Sequence, residues 1–146
     1  SDKKFIHDFI GVNSRLDTLQ AAILSRKLKF LDKINLSKKK IANYYNQNIN
    51  NDKIRKIYYS KSCVFHQYVI LTNKRDKLIK LLKTNNIPFG FHYPYPIHQI
   101  HSLKGFFKNQ TYPNAEKIAK EGISLPIDSN LTIKNLQKIT KIINSL

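Results

Sequence analysis

The stretch from Gly11 to Leu31, GVNSRLDTLQAAILSRKLKFL, constrains this chain more than any other. Leu16, Leu19, Ile23 and Phe30 recur at helical spacing and define one apolar stripe; Ala21, Leu24, Leu28 and Leu31 define a second beside it. The face is wider than a single packing contact requires. It predicts a helix with two neighbours, the chain's own core on one side and a second subunit or a further domain on the other. Ser14 reads as the N-cap with Asp17 three residues on as its partner. An Asn and an Arg ahead of that helix, Asn13 and Arg15, follow a Gly that lets the backbone approach closely. Amide and guanidinium donors added to free backbone N–H groups are what a buried phosphate needs, although the same residues also fit a well-capped helix with a solvent-facing Arg. Lys3, Lys4 and His7, just upstream, could reach an anion held there, although lysines in such a segment also fit plain solvation.

Downstream, Ile41, Tyr44, Tyr45 and Ile49 continue a helical pattern that ends in the Asn-rich NINND turn. Ile54 to Tyr59 reads as a short strand. Cys63 to Leu71, CVFHQYVIL, is β-branched and aromatic on both alternating faces, the pattern of a strand covered on each side, and makes His66 a core histidine. Asn73 and Asp76 open another helix, which turns Leu78, Leu81 and Leu82 inward and stops at Asn85-Asn86 before Pro88. From Tyr112 a short helix leads into the strand-like ISLPI. A terminal helix carries Leu136, Ile139, Ile143 and Leu146 at helical spacing. Strands separated by helices, without hairpin signals, give an α+β (α/β) layer in which helices pack on a small sheet.

Phe89 to His101, FGFHYPYPIHQIH, is the second unusual stretch. Two prolines one residue apart hold an extended backbone that resists helix and central strand alike, and around them stand His92, Tyr93, Tyr95, His98 and His101. Rigid loops bearing polar aromatics make good ligand walls. Three histidines so close together raise a metal site, but no carboxylate or thiolate accompanies them and their spacing fits no standard one. No metal is expected.

With 146 residues the chain fits one domain and can bury a real core. A net charge of +17 raises nucleic acid or an anionic surface as partners. Against this, the basic residues are mostly Lys, spread along the whole chain, with Lys38–Lys40 the only tight run, whereas groove readers concentrate Arg on one element. Nucleic acid is therefore not the expected partner. Cys63 is the single cysteine, so no internal disulfide forms and the chain reads as cytosolic. No apolar run is long enough to span a bilayer, and SDKKFIHDF has no signal-peptide core, so a soluble protein is expected. Ser1 to Ile10 lack a clear period and begin abruptly, as though cut from something longer.

The blocks GVNSRLDTLQAAIL, KLKFLD, IANYY, HQYVI, RDKL, HYPYPIH and ISLPI follow one another over nearly the whole chain. Together they resemble the later part of the DegT/DnrJ/EryC1/StrS family of pyridoxal-phosphate-dependent sugar aminotransferases. The resemblance implies the C-terminal (small) domain of a fold type I aminotransferase over residues 1–146, with a connecting segment over 1–13. The parent would be a cytoplasmic homodimer with active sites at the subunit interface. It would pass an amino group, typically from glutamate, to a nucleotide-linked keto-deoxysugar such as a dTDP-3-keto-6-deoxyhexose, for cell-surface polysaccharide. Asn13, in the G-x-N-x-R motif, resembles the residue that reaches the coenzyme phosphate of the other subunit, and Arg15 would support the same loop. His92 and Tyr93, with His98 beside them, resemble residues near the sugar pocket. Lys4 and His7 occupy the approach to the nucleotide phosphates. The family's imine-forming lysine, the aspartate that pairs with the pyridine nitrogen and the phosphate loop have no counterpart here. No catalytic residue is therefore assigned, and this piece alone is expected to be inactive and without bound coenzyme. Its rivals are a non-catalytic dimerisation or sugar-nucleotide-binding module and, more distantly, a basic nucleic-acid binder.

Overall fold

The computed structural model describes Phe5 and residues 7–108 and 110–146. Five α-helices and three strands follow one another: α1 Thr18–Leu28, α2 Leu31–Asn48, β1 Arg55–Lys56, β2 Tyr68–Leu71, α3 Arg75–Thr84, α4 Pro113–Glu121, β3 Gly122–Leu125 and α5 Ile133–Asn144. Two 3-10 turns, Ile97–Gln99 and His101–Phe107, lie between α3 and α4. The strands form one antiparallel sheet in the order β1-β2-β3. The expected α+β architecture is present.

Register explains how the sheet divides its two faces. Tyr68 stands opposite Leu125 and Ile70 opposite Ile123, so these four side chains share one face. They join Ile41, Ala42 and Tyr45 of α2, Leu78 and Leu82 of α3, and Leu136, Ile139 and Ile143 of α5 in a single apolar core. Val69 and Ser124 oppose each other on the other face. Three helices thus cover one side of the sheet, and the loop after α3 borders β3.

The terminal helix follows its sequence closely. Thr132 accepts from the Asn135 amide while the Asn135 side chain accepts from the Thr132 amide, a complete capping box, and Leu136, Ile139, Thr140 and Ile143 are buried. Helix α3 ends where Asn85-Asn86 marks it. Asn86 adopts a left-handed φ of 55°, Ile87 N donates to Leu82 O and Asn86 N to Lys83 O, a Schellman closure. Its start differs from the expectation: Lys74 occupies the cap position without a side-chain bond, and Asn73 does not cap.

The strand expected over Cys63–Leu71 forms only from Tyr68. Phe65 takes a φ of 54°, which breaks the extended run and tucks its ring against Tyr59 and Tyr68, with centroids 5.0 and 6.4 Å away. The apolar residues ahead of β2 therefore pack from a loop. His66 is turned out and exposed, not a core histidine. The Tyr59 hydroxyl holds this loop to β2, accepting from Val69 N at 2.9 Å. Of the strand expected over Ile54–Tyr59, only Arg55 and Lys56 pair.

Tyr45 and Tyr68 carry their hydroxyls into the core and satisfy them there. Tyr45 donates to the Pro126 carbonyl at 2.8 Å and Tyr68 to Asn46 Oδ1 at 2.6 Å. Burial, reinforced by the neighbouring phenol, holds both hydroxyls protonated well above the usual tyrosine range.

Helix α1 departs most from expectation. It starts three residues later than a Ser14 cap requires, with Asp17 accepting from Gln20 N at 2.8 Å. Residues 11–17 are irregular and exposed. The two apolar stripes exist but do not reach the core: no α1 residue is buried, and Leu19 is 72% and Leu28 67% exposed. A cavity of about 570 Å³ opens between Leu16, Leu24 and Leu28 on one side and Leu31 and Ile34 of α2 on the other.

Candidate functional site

The loop after α3 runs along the outer edge of β3. Gly90 anchors it by pairing with β3: Gly90 N donates to Ser124 O at 3.1 Å and Ser124 N to Gly90 O at 2.8 Å. Arg75 adds a clamp from α3, donating to the Ala119 carbonyl at 2.6 Å with its guanidinium 5.2 Å from the Phe91 ring centre. The stretch expected to stay extended does so only as far as Pro96; beyond it the chain coils into the two 3-10 turns.

Two of the sequence-derived candidates meet here. The segment before Gly11 lies on the loop, with Ser102 N donating to the His7 carbonyl at 3.2 Å and the Phe5 ring edge-on to Tyr93 at 5.9 Å. Phe5, His7, Tyr93, Tyr95, Ile97 and Ile100 line a cavity of about 220 Å³. Its aromatic walls offer stacking surface, and the exposed Tyr93 and Tyr95 hydroxyls and His7 imidazole offer polar contacts at the rim.

His92 lies beside this cavity but belongs to a second one. Its ring is 5.8 Å from that of Tyr93, while its Nδ1 is 2.9 Å from Ser124 Oγ. It helps to line a shallow depression of about 310 Å³ with His66, Gln67, Ser124 and Asp128. Ser124 escaped the sequence reading. The one signal for it was a polar residue between Ile123 and Leu125, which the pleat sends to the face opposite the core.

His98 does not join the other two histidines. Its Nε2 lies 3.0 Å from Glu116 Oε1, its side chain is 8% exposed, and its ring packs 4.9 Å from that of Tyr112. Glu116 also accepts from the Tyr112 amide at 3.1 Å. The imidazole thus ties the loop to the first turn of α4. Lys3 and Lys4 lie outside the described residues. Among the described residues, no group of three or more His, Cys, Asp or Glu could hold a metal ion, and no helix is long and apolar enough to cross a membrane.

Asn13 and Arg15 stand apart from the loop cavities, on the exposed backbone ahead of α1. Neither side chain makes a hydrogen bond or ion pair among the described residues, so both retain donors for an anion. The mouth of α1 is different, because the Asp17 carboxylate already occupies it. A coenzyme phosphate would therefore meet side-chain donors at Asn13 and Arg15, without a free helix terminus. These residues fit one wall of a phosphate site; the remaining walls must come from elsewhere.

Comparison with known proteins supplies the context. The chain is 36% identical to the dTDP-3-amino-3,6-dideoxy-alpha-D-galactopyranose transaminase of Aneurinibacillus thermoaerophilus, over 99% of this chain and 40% of that protein. It is 31% identical to the dTDP-3-amino-3,4,6-trideoxy-alpha-D-glucose transaminase of Streptomyces venezuelae, over 90% of this chain and 36% of that protein. The fold superposes on the crystal structure of S. venezuelae DesV in complex with a ketimine intermediate, with a TM-score of 0.82, 29% identity, and coverage of 99% of this chain and 40% of that one. A DegT DnrJ EryC1 StrS aminotransferase from Brucella abortus gives a TM-score of 0.80 at 28% identity, covering 99% of this chain and 39% of that one. The chain spans about 40% of the length of these relatives. With the family's sequence profile matching residues 1–144, the chain belongs to the DegT/DnrJ/EryC1/StrS aminotransferase family.

Proposed function

We propose that this chain is the C-terminal part, with the small domain, of a pyridoxal-phosphate-dependent sugar aminotransferase. The enzyme moves an amino group from glutamate to a nucleotide-linked keto-deoxysugar, a dTDP-3-keto-6-deoxyhexose, in the making of cell-surface polysaccharide. The observation that carries this reading is the match, over almost the entire chain, to transaminases named for dTDP-3-amino sugars. When bound, the coenzyme supplies the electron sink for amino-group transfer.

This chain's own residues bind and orient. Asn13 and Arg15 donate to the coenzyme phosphate across the interface of a cytoplasmic homodimer; their exposure and free donors support that role. Tyr93 and His7 contact the nucleotide sugar at the aromatic cavity, Lys4 meets its phosphates, and His92 faces the sugar. His98 contributes indirectly, holding the loop through Glu116. No lysine here stands in the imine-forming context, so the chain by itself turns nothing over.

The test is cofactor retention in the natural gene product that carries this chain. Asn13→Ala should speed loss of pyridoxal phosphate on dialysis and lower turnover; unchanged occupancy and turnover would remove its role. A second reading, a non-catalytic dimerisation or sugar-nucleotide-binding module, is favoured by the uncovered apolar face of α1. It requires that no large domain with an imine-forming lysine be encoded in frame, which the gene sequence decides.

A further inference from the structure

Three residues at the edge of β3 form one cradle. Gly90 and Ser124 are locked together by their paired backbone hydrogen bonds, and the His92 ring folds back over both. A methyl group at position 90 would come within 2.6 Å of ring Cε1 and 3.3 Å of Nδ1, so the ring occupies the space that only a glycine leaves open. Ser124 is 3% exposed, and its Oγ lies 2.9 Å from His92 Nδ1. That nitrogen is its hydrogen-bond partner among the described residues. A buried hydroxyl hydrogen without an acceptor is costly, so the O–H is directed at Nδ1, which must then be the bare nitrogen of the neutral ring. The ring proton consequently sits on Nε2, the nitrogen away from Ser124.

The geometry points to Ser124 as a positioning residue that, with Gly90, fixes the rotamer and tautomer of His92, so that the imidazole presents an Nε2–H donor to an oxygen of the nucleotide-linked sugar. This rests on the reading of His92 as sugar-facing. A keto oxygen can only accept a hydrogen bond, so a donor orients it where the opposite tautomer, with a bare Nε2, would leave two lone pairs facing each other. The depression that His92 lines is open enough to admit a ring hydroxyl or carbonyl, and Gln67 on its wall can accept or donate alongside.

The test reads the tautomer directly. In this chain labelled with ¹⁵N-histidine, at a pH where the rings are neutral, His92 is identified by the signal that His92→Gln removes. Nε2 should carry the proton and Nδ1 should be bare; a protonated Nδ1 in the unsubstituted chain overturns the proposal without any further variant. Ser124→Ala should produce a mixture of tautomers, and Gly90→Ala should displace the ring with the hydroxyl still present. A merely structural serine would alter the unfolding midpoint and leave the tautomer unchanged. In the natural gene product loaded with pyridoxal phosphate, Ser124→Ala should raise KM for dTDP-3-keto-6-deoxyhexose about two- to tenfold, the scale of one hydrogen bond, with a smaller change in kcat. If the tautomer responds but neither Ser124→Ala nor His92→Gln changes KM or kcat, the sugar-facing reading of His92 fails while the hold on the ring stands. If the tautomer does not respond, the positioning role fails whatever the kinetics.

Discussion

Helices α1 and α5 are nearly the same length, 11 and 12 residues, and both carry apolar residues at helical spacing and a side-chain N-cap. Their fates are opposite. Helix α5 buries Leu136, Ile139, Thr140 and Ile143 against α2 and α3, whereas α1 buries nothing and leaves Ile23 and Leu24 about half exposed. An apolar stripe states that a face gains free energy when covered; it does not state that the cover belongs to the same chain. For α5 the cover is the core of this domain. For α1 no cover is present among the described residues.

The sharpest way to break this contrast is to delete methyl groups on both helices. Ile143→Ala, at a fully buried site, should lower unfolding free energy by about 2–5 kcal/mol in a urea titration. A comparable loss from Leu24→Ala would mean that α1 is part of the core after all. Caps come next. Thr132→Ala should cost about 0.5–2 kcal/mol and lower the thermal midpoint, because the α5 cap is coupled to the packed domain. Asp17→Ala should leave the midpoint where it is and reduce only the hydrogen-exchange protection of α1 amides.

A third effect comes from alkaline titration of the core that α5 helps to seal. The Tyr45 phenol has its pKa raised in the folded chain, while in the unfolded chain it ionises near 10. Its contribution to stability is therefore complete below about pH 10 and is lost as pH rises further, since only the unfolded state releases the proton. Tyr45→Phe should start less stable, lacking the bond to Pro126 O, and lose stability less steeply between pH 9 and about 11 by circular dichroism. Parallel slopes would show that the hydroxyl is not sealed. The smallest expected effect on folding, within about 0.5 kcal/mol, belongs to the pair Leu19→Ser and Leu24→Ser. Its readout is sedimentation: the substituted chain should associate less than the original, and unchanged profiles would remove a second copy as the cover.

Legibility followed the reach of the determining contacts. Where a side chain's partners lie in the next turn or across one core, sequence period was enough: Leu136, Ile139 and Ile143 were readable, and so was the stop at Asn85-Asn86. Ser14 was read as the cap with Asp17 as its partner, but Asp17 itself takes the cap position, its carboxylate accepting from Gln20 N. In Cys63–Leu71 composition could not separate a strand from a loop folded on its own aromatics, because both bury the same residues; the left-handed Phe65 separates them. The loop with His92 and Tyr93 stood out by its prolines and polar rings. Which of its histidines would be free did not, since Ser124 lies 32 residues from His92 in the chain and Glu116 lies 18 from His98.

Strand β1 is only two residues long, both charged, with Arg55 paired to Glu121 and Lys56 reaching the carbonyls of Asn46 and Ile49. At the opposite border a one-residue bridge from Gly90 covers β3. Neither margin therefore presents a run of unpaired amides that a foreign strand could extend, which guards the domain against fibre-like growth. Association of this domain through its exposed helix and loop surfaces then depends on side chains and can be selective.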